Sequence, residues 1–115
     1  MTTQSILEHH LQAFGSGDTA EILKDYTDDS VLVTQQGQLK GRAAIEEAFK
    51  GFFSGIFSPG TYEFDMDTMQ ICGDVAYIAW HATTKTHDVP LGTDTFVVRD
   101  GKIAVQTFAA QMTER

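Results

Sequence analysis

The 115-residue chain has one cysteine, two prolines and only 8 basic residues. The lone Cys72 excludes an intrachain disulfide and a zinc site built from several thiolates. No apolar run approaches the roughly 20 residues that a membrane-spanning helix needs. The basic residues are outnumbered by 16 acidic ones, for a formal net charge of -8. Because phosphate backbones and anionic lipids repel such a chain, we expect no nucleic-acid and no membrane partner.

Other signatures are also missing. The start, MTTQSILEHHLQAF, has neither the basic beginning nor the apolar core of a secretory signal, so we expect a cytoplasmic protein. The histidines, at 9, 10, 81 and 87, lack the four-residue spacing of a helical zinc site. There is no Gly-rich phosphate loop and no Gly-x-Ser-x-Gly elbow. We therefore expect neither a metal nor a cofactor.

The first half of the chain carries helical patterns. Its length is that of one domain, which we expect over 1–115. Thr2 and Thr3 can cap a helix in which apolar residues recur every three or four positions up to Gly15 and Gly17. Asp18, with Glu21 three residues later, predicts a short second helix. A hairpin over 31–41 follows, and a third helix runs from Gly41 to the stop at 58–60. Its apolar stripe comprises Ile45, Ala48, Phe49, Phe52, Phe53 and Ile56.

From Thr61 onward the apolar period becomes two, which predicts strands. Tyr62, Phe64 and Met66 alternate with acidic residues. Further strands are predicted over 75–82, 91–98 and 103–112, and the last two are joined by a turn at 99–102 that contains Asp-Gly. The order of helix, helix, hairpin, helix and four strands defines an α+β fold.

The strand over 75–82 is apolar on both of its faces. One alternating set is Val75, Tyr77 and Ala79, and the other is Ala76, Ile78 and Trp80. A strand of this kind must be covered on both sides. Three helices can cover one face of the sheet, so we expect a homodimer through the outer face. The last strand would contribute four residues to the partner, namely Ile103, Val105, Thr107 and Ala109.

Four short stretches carry a family resemblance. They are FGSGD at 14–18, YTDDSV at 26–31, GRAAI at 41–45 and DTFVVRDGKI at 94–103. In this order and spacing the chain resembles the nuclear-transport-factor-2-like superfamily, and within it the SnoaL-like and ketosteroid-isomerase-like branch. The resemblance implies a cone: a strongly curved antiparallel sheet wrapped around three N-terminal helices and enclosing an apolar pocket. The superfamily includes isomerases, cyclases, dehydratases and members without catalysis, so the fold alone does not set the chemistry.

Two residues stand where this resemblance implies an oxyanion hole. Asp94, in a largely apolar strand, matches the isomerase acid that stays protonated and donates a hydrogen bond to a developing oxyanion; that enzyme is a known example of a carboxylic acid kept neutral by its site. His10, on the apolar stripe of the first helix, matches the tyrosine that donates the second bond. The alternatives are a solvated or threonine-paired Asp94 and a histidine that belongs to the core.

The position of the isomerase base is occupied by Thr34, whose hydroxyl has no useful basicity near pH 7. Orthodox ketosteroid isomerisation is therefore not expected, and a base would have to be His81 or His10. Trp80 and His81 are adjacent on a strand and face opposite sides. The family spacing favours His81 on the pocket side and Trp80 on the outer side.

The predicted pocket lining combines two groups of residues. Gln106 and Phe108 alternate on the last strand and would share the face of Asp94. Tyr26, Phe49 and Phe53 would complete the wall, although helical aromatic stripes are also typical of plain core. Two functions remain open on these grounds. One is an isomerase, cyclase or dehydratase acting without a cofactor on a small hydrophobic carbonyl compound, and the other is a non-catalytic module for ligand binding or dimerisation.

Overall fold

The computed structural model describes residues 2–115 and contains three helices. Helix α1 spans Thr3–Ser16, and its N-cap Thr2 accepts a hydrogen bond from the Ser5 amide at 3.0 Å. It ends at Gly17, which has a φ of 66°, a left-handed conformation that glycine adopts without strain. Helix α2 spans Thr19–Leu23 behind the cap Asp18. The capping residues predicted from the sequence therefore begin both helices.

Helix α3 spans Arg42–Ser54 and is shorter than its apolar stripe predicted. The chain leaves the helix at Gly55, so Ile56 lies in the following turn rather than on the helix. That turn buries Phe57 almost completely, where its ring packs against Phe52 and Trp80. Apolar spacing continued past Ser54 because the turn packs into the same core.

Six strands form one sheet in the order β2-β1-β6-β5-β4-β3. The strands are β1 Val31–Thr34, β2 Gly37–Lys40, β3 Glu63–Cys72, β4 Val75–Thr83, β5 His87–Arg99 and β6 Lys102–Glu114. The predicted α+β fold is confirmed, and the sheet is antiparallel except at one place, where β1 pairs with β6 in parallel. These two strands are far apart in the chain, so no short turn dictates their relative direction.

Register shifts interrupt the three long strand pairs of the sheet. They fall between Met66 and Thr68 of β3, between Trp80 and Ala82 of β4, and at two places in β5. Bulges bend a strand and increase its twist. The long strands therefore curve around the helices, and the inner face of the sheet encloses the core.

The two faces of β4 have separate roles. Ala76, Ile78 and Trp80 are buried toward the helices, whereas Val75 and Tyr77 point outward and are about two-fifths exposed. The prediction that Trp80 faces outward is therefore wrong.

The predicted outer set of β6 needs one correction. Ile103 is fully buried in the core, because a register shift between Val97 and Val98 pairs Val98 with Ile103 and reverses the alternation there. Val105, Thr107 and Ala109 do share the outer face of the sheet with Val97, Thr95 and Thr93.

In residues 2–115, no helix combines the length and the apolar character required to cross a lipid bilayer.

Candidate ligand-binding site

A cavity of about 600 Å³ lies between the inner face of the sheet and helices α1 and α3. Its wall is mainly aromatic, with Phe14, Phe49, Phe52, Phe57, Trp80 and Phe108 as the larger rings. The few polar side chains of the wall include His10, Asp94 and Gln106. An apolar cavity with a few convergent polar groups is the usual form of a small-molecule site.

Asp94 lies on the inner face of β5 and is only 7% exposed. Its Oδ2 atom accepts a hydrogen bond from Trp80 Nε1 at 2.9 Å, and its Oδ1 atom accepts one from Gln106 Nε2 at 3.0 Å. Desolvation in this apolar setting raises the pKa of Asp94 to about 6, although both hydrogen bonds act in the opposite direction. The carboxyl group can therefore change its protonation state close to neutral pH.

Gln106 is itself held in place from behind the cavity wall. The Tyr26 hydroxyl donates a hydrogen bond to its Oε1 atom, which turns the amide N–H group toward Asp94. Burial, and next the charge of Asp94, raise the pKa of Tyr26 well above its ordinary value. Tyr26 thus remains a neutral donor, and the chain from Tyr26 to Asp94 is a fixed network.

His10 lies on the buried face of α1 and borders the same cavity. Its ring meets Tyr26, Phe49 and Phe96 edge to face. Burial, with a smaller effect from the neighbouring His9, lowers the pKa of His10 to about 4, so the ring is neutral at pH 7. Within the part of the chain that the structure describes, its buried Nδ1 atom has no hydrogen-bond partner. An unpaired buried nitrogen can bind the polar group of a ligand.

His81 lies on the outer face of the sheet, outside the cavity. Its Nδ1 atom is 2.8 Å from an Asp67 carboxylate oxygen, and its Nε2 atom is 3.3 Å from Asp65. The prediction that His81 faces the pocket with Asp94 and His10 is therefore wrong. The acidic residues of β3 could have indicated the correct face, because Asp65 pairs with His81 across the strands and shares its solvated face.

Two predicted lining residues, Tyr26 and Phe53, lie behind the wall rather than in it. Phe53 packs on Phe14 at a ring distance of 5.1 Å, toward α1. Its neighbour Phe52, turned about 100° around the helix, faces the sheet and meets Phe108 at 5.5 Å. Phe49, Gln106 and Phe108 border the cavity together with His10 and Asp94.

Among the residues that sequence reasoning missed are Trp80 in the cavity wall and Gly92 directly beside it. Trp80 donates to Asp94, and Gly92 stands opposite it on β5. Knowing which face of β4 is buried would have identified both. Thr34, in the position of the isomerase base, lies outside the cavity wall and donates its hydroxyl hydrogen to the Gly37 carbonyl oxygen at 3.1 Å.

The family model of the SnoaL-like domain matches residues 7–106, so the chain belongs to this family. Solved structures of nuclear-transport-factor-2-like proteins share its fold. A candidate ketosteroid isomerase from Kribbella flavida has a TM-score of 0.78 and 15% identity, covering 98% of this chain and 80% of its own. A candidate polyketide cyclase from Sinorhizobium meliloti has a TM-score of 0.76 and 17% identity, with coverages of 94% and 99%.

A third similar structure is a nuclear-transport-factor-2-like protein of unknown function from Mesorhizobium loti, with a TM-score of 0.77 and 21% identity. It covers 95% of this chain and 90% of its own. No curated protein matches the sequence. At these identities the structures share the fold, and the chemistry must be argued from the site.

Proposed function

We propose that the cavity binds a small, largely apolar carbonyl compound, whose oxygen lies against Asp94 and His10. The observation that carries this proposal is a nearly buried carboxyl group with a pKa of about 6 in an aromatic cavity. A carbonyl oxygen accepts hydrogen bonds, so it would bind the protonated form of Asp94. The neutral His10 ring can supply a second donor.

The proposal predicts how the affinity for a ketone changes with pH. Only protonated Asp94 donates, so affinity is full below about pH 6 and falls as the pH rises through that value. A bicyclic aryl ketone such as 1-tetralone is a suitable probe for a cavity of this size. Trp80 is the only tryptophan of the chain and lies in the wall, so its fluorescence reports binding directly.

Substitutions at Asp94 separate this role from a merely structural one. At pH 5, Asp94→Ala deletes the donor, and we expect it to weaken ketone binding about tenfold or more, whereas Asp94→Asn retains a donor and binds more strongly than Ala. The matched control is Asp67→Asn, on the outer face, which should leave binding unchanged. Equal binding by both Asp94 variants and the wild type would contradict the proposal.

A second candidate function is catalysis of proton transfer next to that carbonyl group. It is favoured by the pKa of Asp94, since a proton carrier works best when its pKa is near the operating pH. The enzyme would be a cofactor-independent isomerase, cyclase or dehydratase. Exchange of the α-hydrogens of 1-tetralone for deuterium, followed by NMR, tests it. Protein-accelerated exchange that disappears in Asp94→Asn would support catalysis, and exchange at the buffer rate would contradict it.

We also propose that the protein forms a homodimer through the outer face of the sheet. Across the four central strands β4, β5, β6 and β1, three cross-strand rows of this face contain only valine, tyrosine, threonine and alanine. The rows are Val75, Val97, Val105 and Val31; Tyr77, Thr95, Thr107 and Val33; and Ala79, Thr93 and Ala109. A broad uncharged surface of this kind favours association with a second copy.

A further inference from the structure

Among the residues that the structure describes, the cavity wall contains an acidic residue, Asp94, but no lysine or arginine. Its ionisable residues are His10, Tyr62 and Asp94, within the portion of the chain described, 2–115. Burial keeps His10 neutral above about pH 4 and raises the pKa of Tyr62, so neither carries a charge at pH 8. When Asp94 is ionised, nothing in the wall compensates its charge. The chain as a whole also carries -8, and its field attracts cations.

The protein orients Asp94 as an acceptor. Each of its oxygen atoms receives one hydrogen bond from a fixed donor, Trp80 Nε1 or Gln106 Nε2. Gln106 is fixed in turn by Tyr26. A carboxylate offers about four acceptor positions, so two remain after these bonds are made. The ligand group that complements the ionised form is therefore an N–H or O–H donor.

This carboxylate shares the cavity wall with aromatic rings, one of which, Trp80, donates to it. Trp80 and Phe108 lie nearly parallel, at an interplanar angle of 12° and a ring distance of 6.3 Å, and Phe108 meets Phe52 edge to face. The faces of such rings attract a cation, with tryptophan the strongest of them. A carboxylate among aromatic rings, without a competing basic group, is the arrangement that binds an organic cation.

We propose that the same cavity takes a hydrophobic ammonium ion, with its N–H groups against Asp94 and its charge among the surrounding aromatic rings. This second ligand class rests on the proposed function in one respect, because the cavity must admit a small apolar molecule. It differs in the form of Asp94 that it needs. The ketone binds the acid, whereas the ammonium ion binds the carboxylate.

The two classes consequently have opposite pH dependences. Asp94 is a carboxylate above about pH 6, so ammonium binding is full at pH 8 and is lost as the pH falls through that value. The groups facing Asp94 from other elements do not reverse this sign. His10 on α1 stays neutral until about pH 4, Tyr26 stays neutral, and α3 presents phenylalanine rings.

The experiment compares ligands of one carbon skeleton by calorimetric titration: 1-aminotetralin, which is protonated at both pH values used, the neutral alcohol 1-tetralol, and 1-tetralone. At pH 8 we expect the amine to bind about tenfold more tightly than the alcohol. At pH 5 this preference should shrink several-fold, while the ketone binds better than at pH 8. Asp94→Asn should remove the preference for the amine at pH 8, and the outer-face control Asp67→Asn should keep it.

The outcomes distinguish failure of this inference from failure of the proposed function. Equal binding of amine and alcohol at pH 8, with the ketone still bound at pH 5, would overturn the ammonium site alone. A preference for the amine that does not change between pH 8 and pH 5 would also overturn it, and this measurement needs no variant. Failure of all three ligands to bind at either pH would contradict both proposals.

Discussion

At the scale of single residues, the site depends on an unusually close approach between Trp80 and Gly92. A Cβ atom on Gly92 would come within 2.3 Å of Trp80 Cζ2 and within 2.4 Å of Cε2. The indole therefore lies directly on the backbone of β5, where its Nε1 atom reaches Asp94 two residues further along. Glycine is needed here for space, since its φ is not in the left-handed region.

Gly92→Ala should displace the indole and break the hydrogen bond from Trp80 to Asp94. That bond lowers the pKa of Asp94, so its loss should raise the pKa further above about 6. Crowding in the core should also cost about 1 to 3 kcal/mol of stability. A pH titration of Trp80 fluorescence and urea unfolding measure the two effects. Gly51→Ala, on α3 with open space around it, is the control. An unchanged titration midpoint in Gly92→Ala would show that the contact does not set the pKa.

Asp94 should also affect the pH dependence of stability. Its pKa rises from 3.8 to about 6 on folding, so between these values the folded state holds more protons than the unfolded state. The free energy of unfolding should therefore fall as the pH rises from about 4 to 6. Relative to Asp94→Asn, the wild type should lose roughly 2 to 3 kcal/mol between pH 4 and pH 7.

Urea unfolding of both proteins across this pH range provides the comparison. All other titrating groups are common to the two chains, so the difference isolates Asp94. Parallel stability curves would mean that Asp94 has the same pKa in the folded and the unfolded chain.

At the scale of elements, helix ends could be predicted from the sequence because caps are local chemistry. Thr2, Asp18 and Gly17 act within one turn of their own helices. The faces of the strands could not be predicted as well. Alternation by two residues is lost at each bulge, and bulges depend on contacts between distant strands. Ile103 was assigned to the wrong face for this reason.

The residues of the candidate site could likewise be predicted from the sequence only in part. The structure brings His10, Phe49, Asp94, Gln106 and Phe108 to one cavity, although they come from four separate elements. His81 was assigned to the wrong face, since both faces of its strand are apolar and the apolar alternation alone gave no preference between them. Gln106 was correctly placed on the face of Asp94, but the hydrogen bond from Trp80 to Asp94 could not be predicted because it forms across paired strands.

A charged staple joins α1 to the region of α2. His9 Nδ1 lies 2.6 Å from Asp25 Oδ2, and His9 Nε2 lies 2.9 Å from Glu21 Oε2. These bonds, that to Asp25 first, raise the pKa of His9, while Asp25 is nearly buried and its own pKa is raised by desolvation. The protonated ring donates to both carboxylates at once. It therefore ties the helix that carries His10 to the chain leading into Tyr26.

The staple predicts a loss of stability at high pH. A raised histidine pKa stabilises the folded chain fully below the ordinary value of 6.5, and this contribution disappears as the pH rises through the raised value. His9→Gln should therefore cost about 1 kcal/mol at pH 6 and less at pH 9. Urea unfolding at the two pH values measures this change. An equal cost for His9→Gln at both pH values would contradict the staple.

At the scale of the whole molecule, the sheet separates two surfaces with different chemistry. Its inner face is covered by three helices and encloses the cavity. Its outer face has an uncharged centre, where Val33, Val75 and Tyr77 are each about two-fifths exposed. The acidic pair Asp65 and Asp67 lies on β3, at the edge of the sheet, and contacts His81 of the neighbouring strand β4. An apolar centre bounded by charged residues is the usual anatomy of a protein interface.

The proposed dimer predicts a mass of about twice 12.7 kDa by analytical ultracentrifugation at micromolar concentration. Thr107 lies on β6 in the central outer row, between Thr95 and Val33. Thr107→Lys would place an unpaired charge in the buried centre of the interface, at a cost of several kcal/mol per dimer, so we expect a monomer. The matched control Thr86→Lys makes the same substitution in the exposed turn between β4 and β5 and should leave the dimer intact. A wild-type species of 12.7 kDa, or a Thr107→Lys variant that remains dimeric, would show that this face is not the interface.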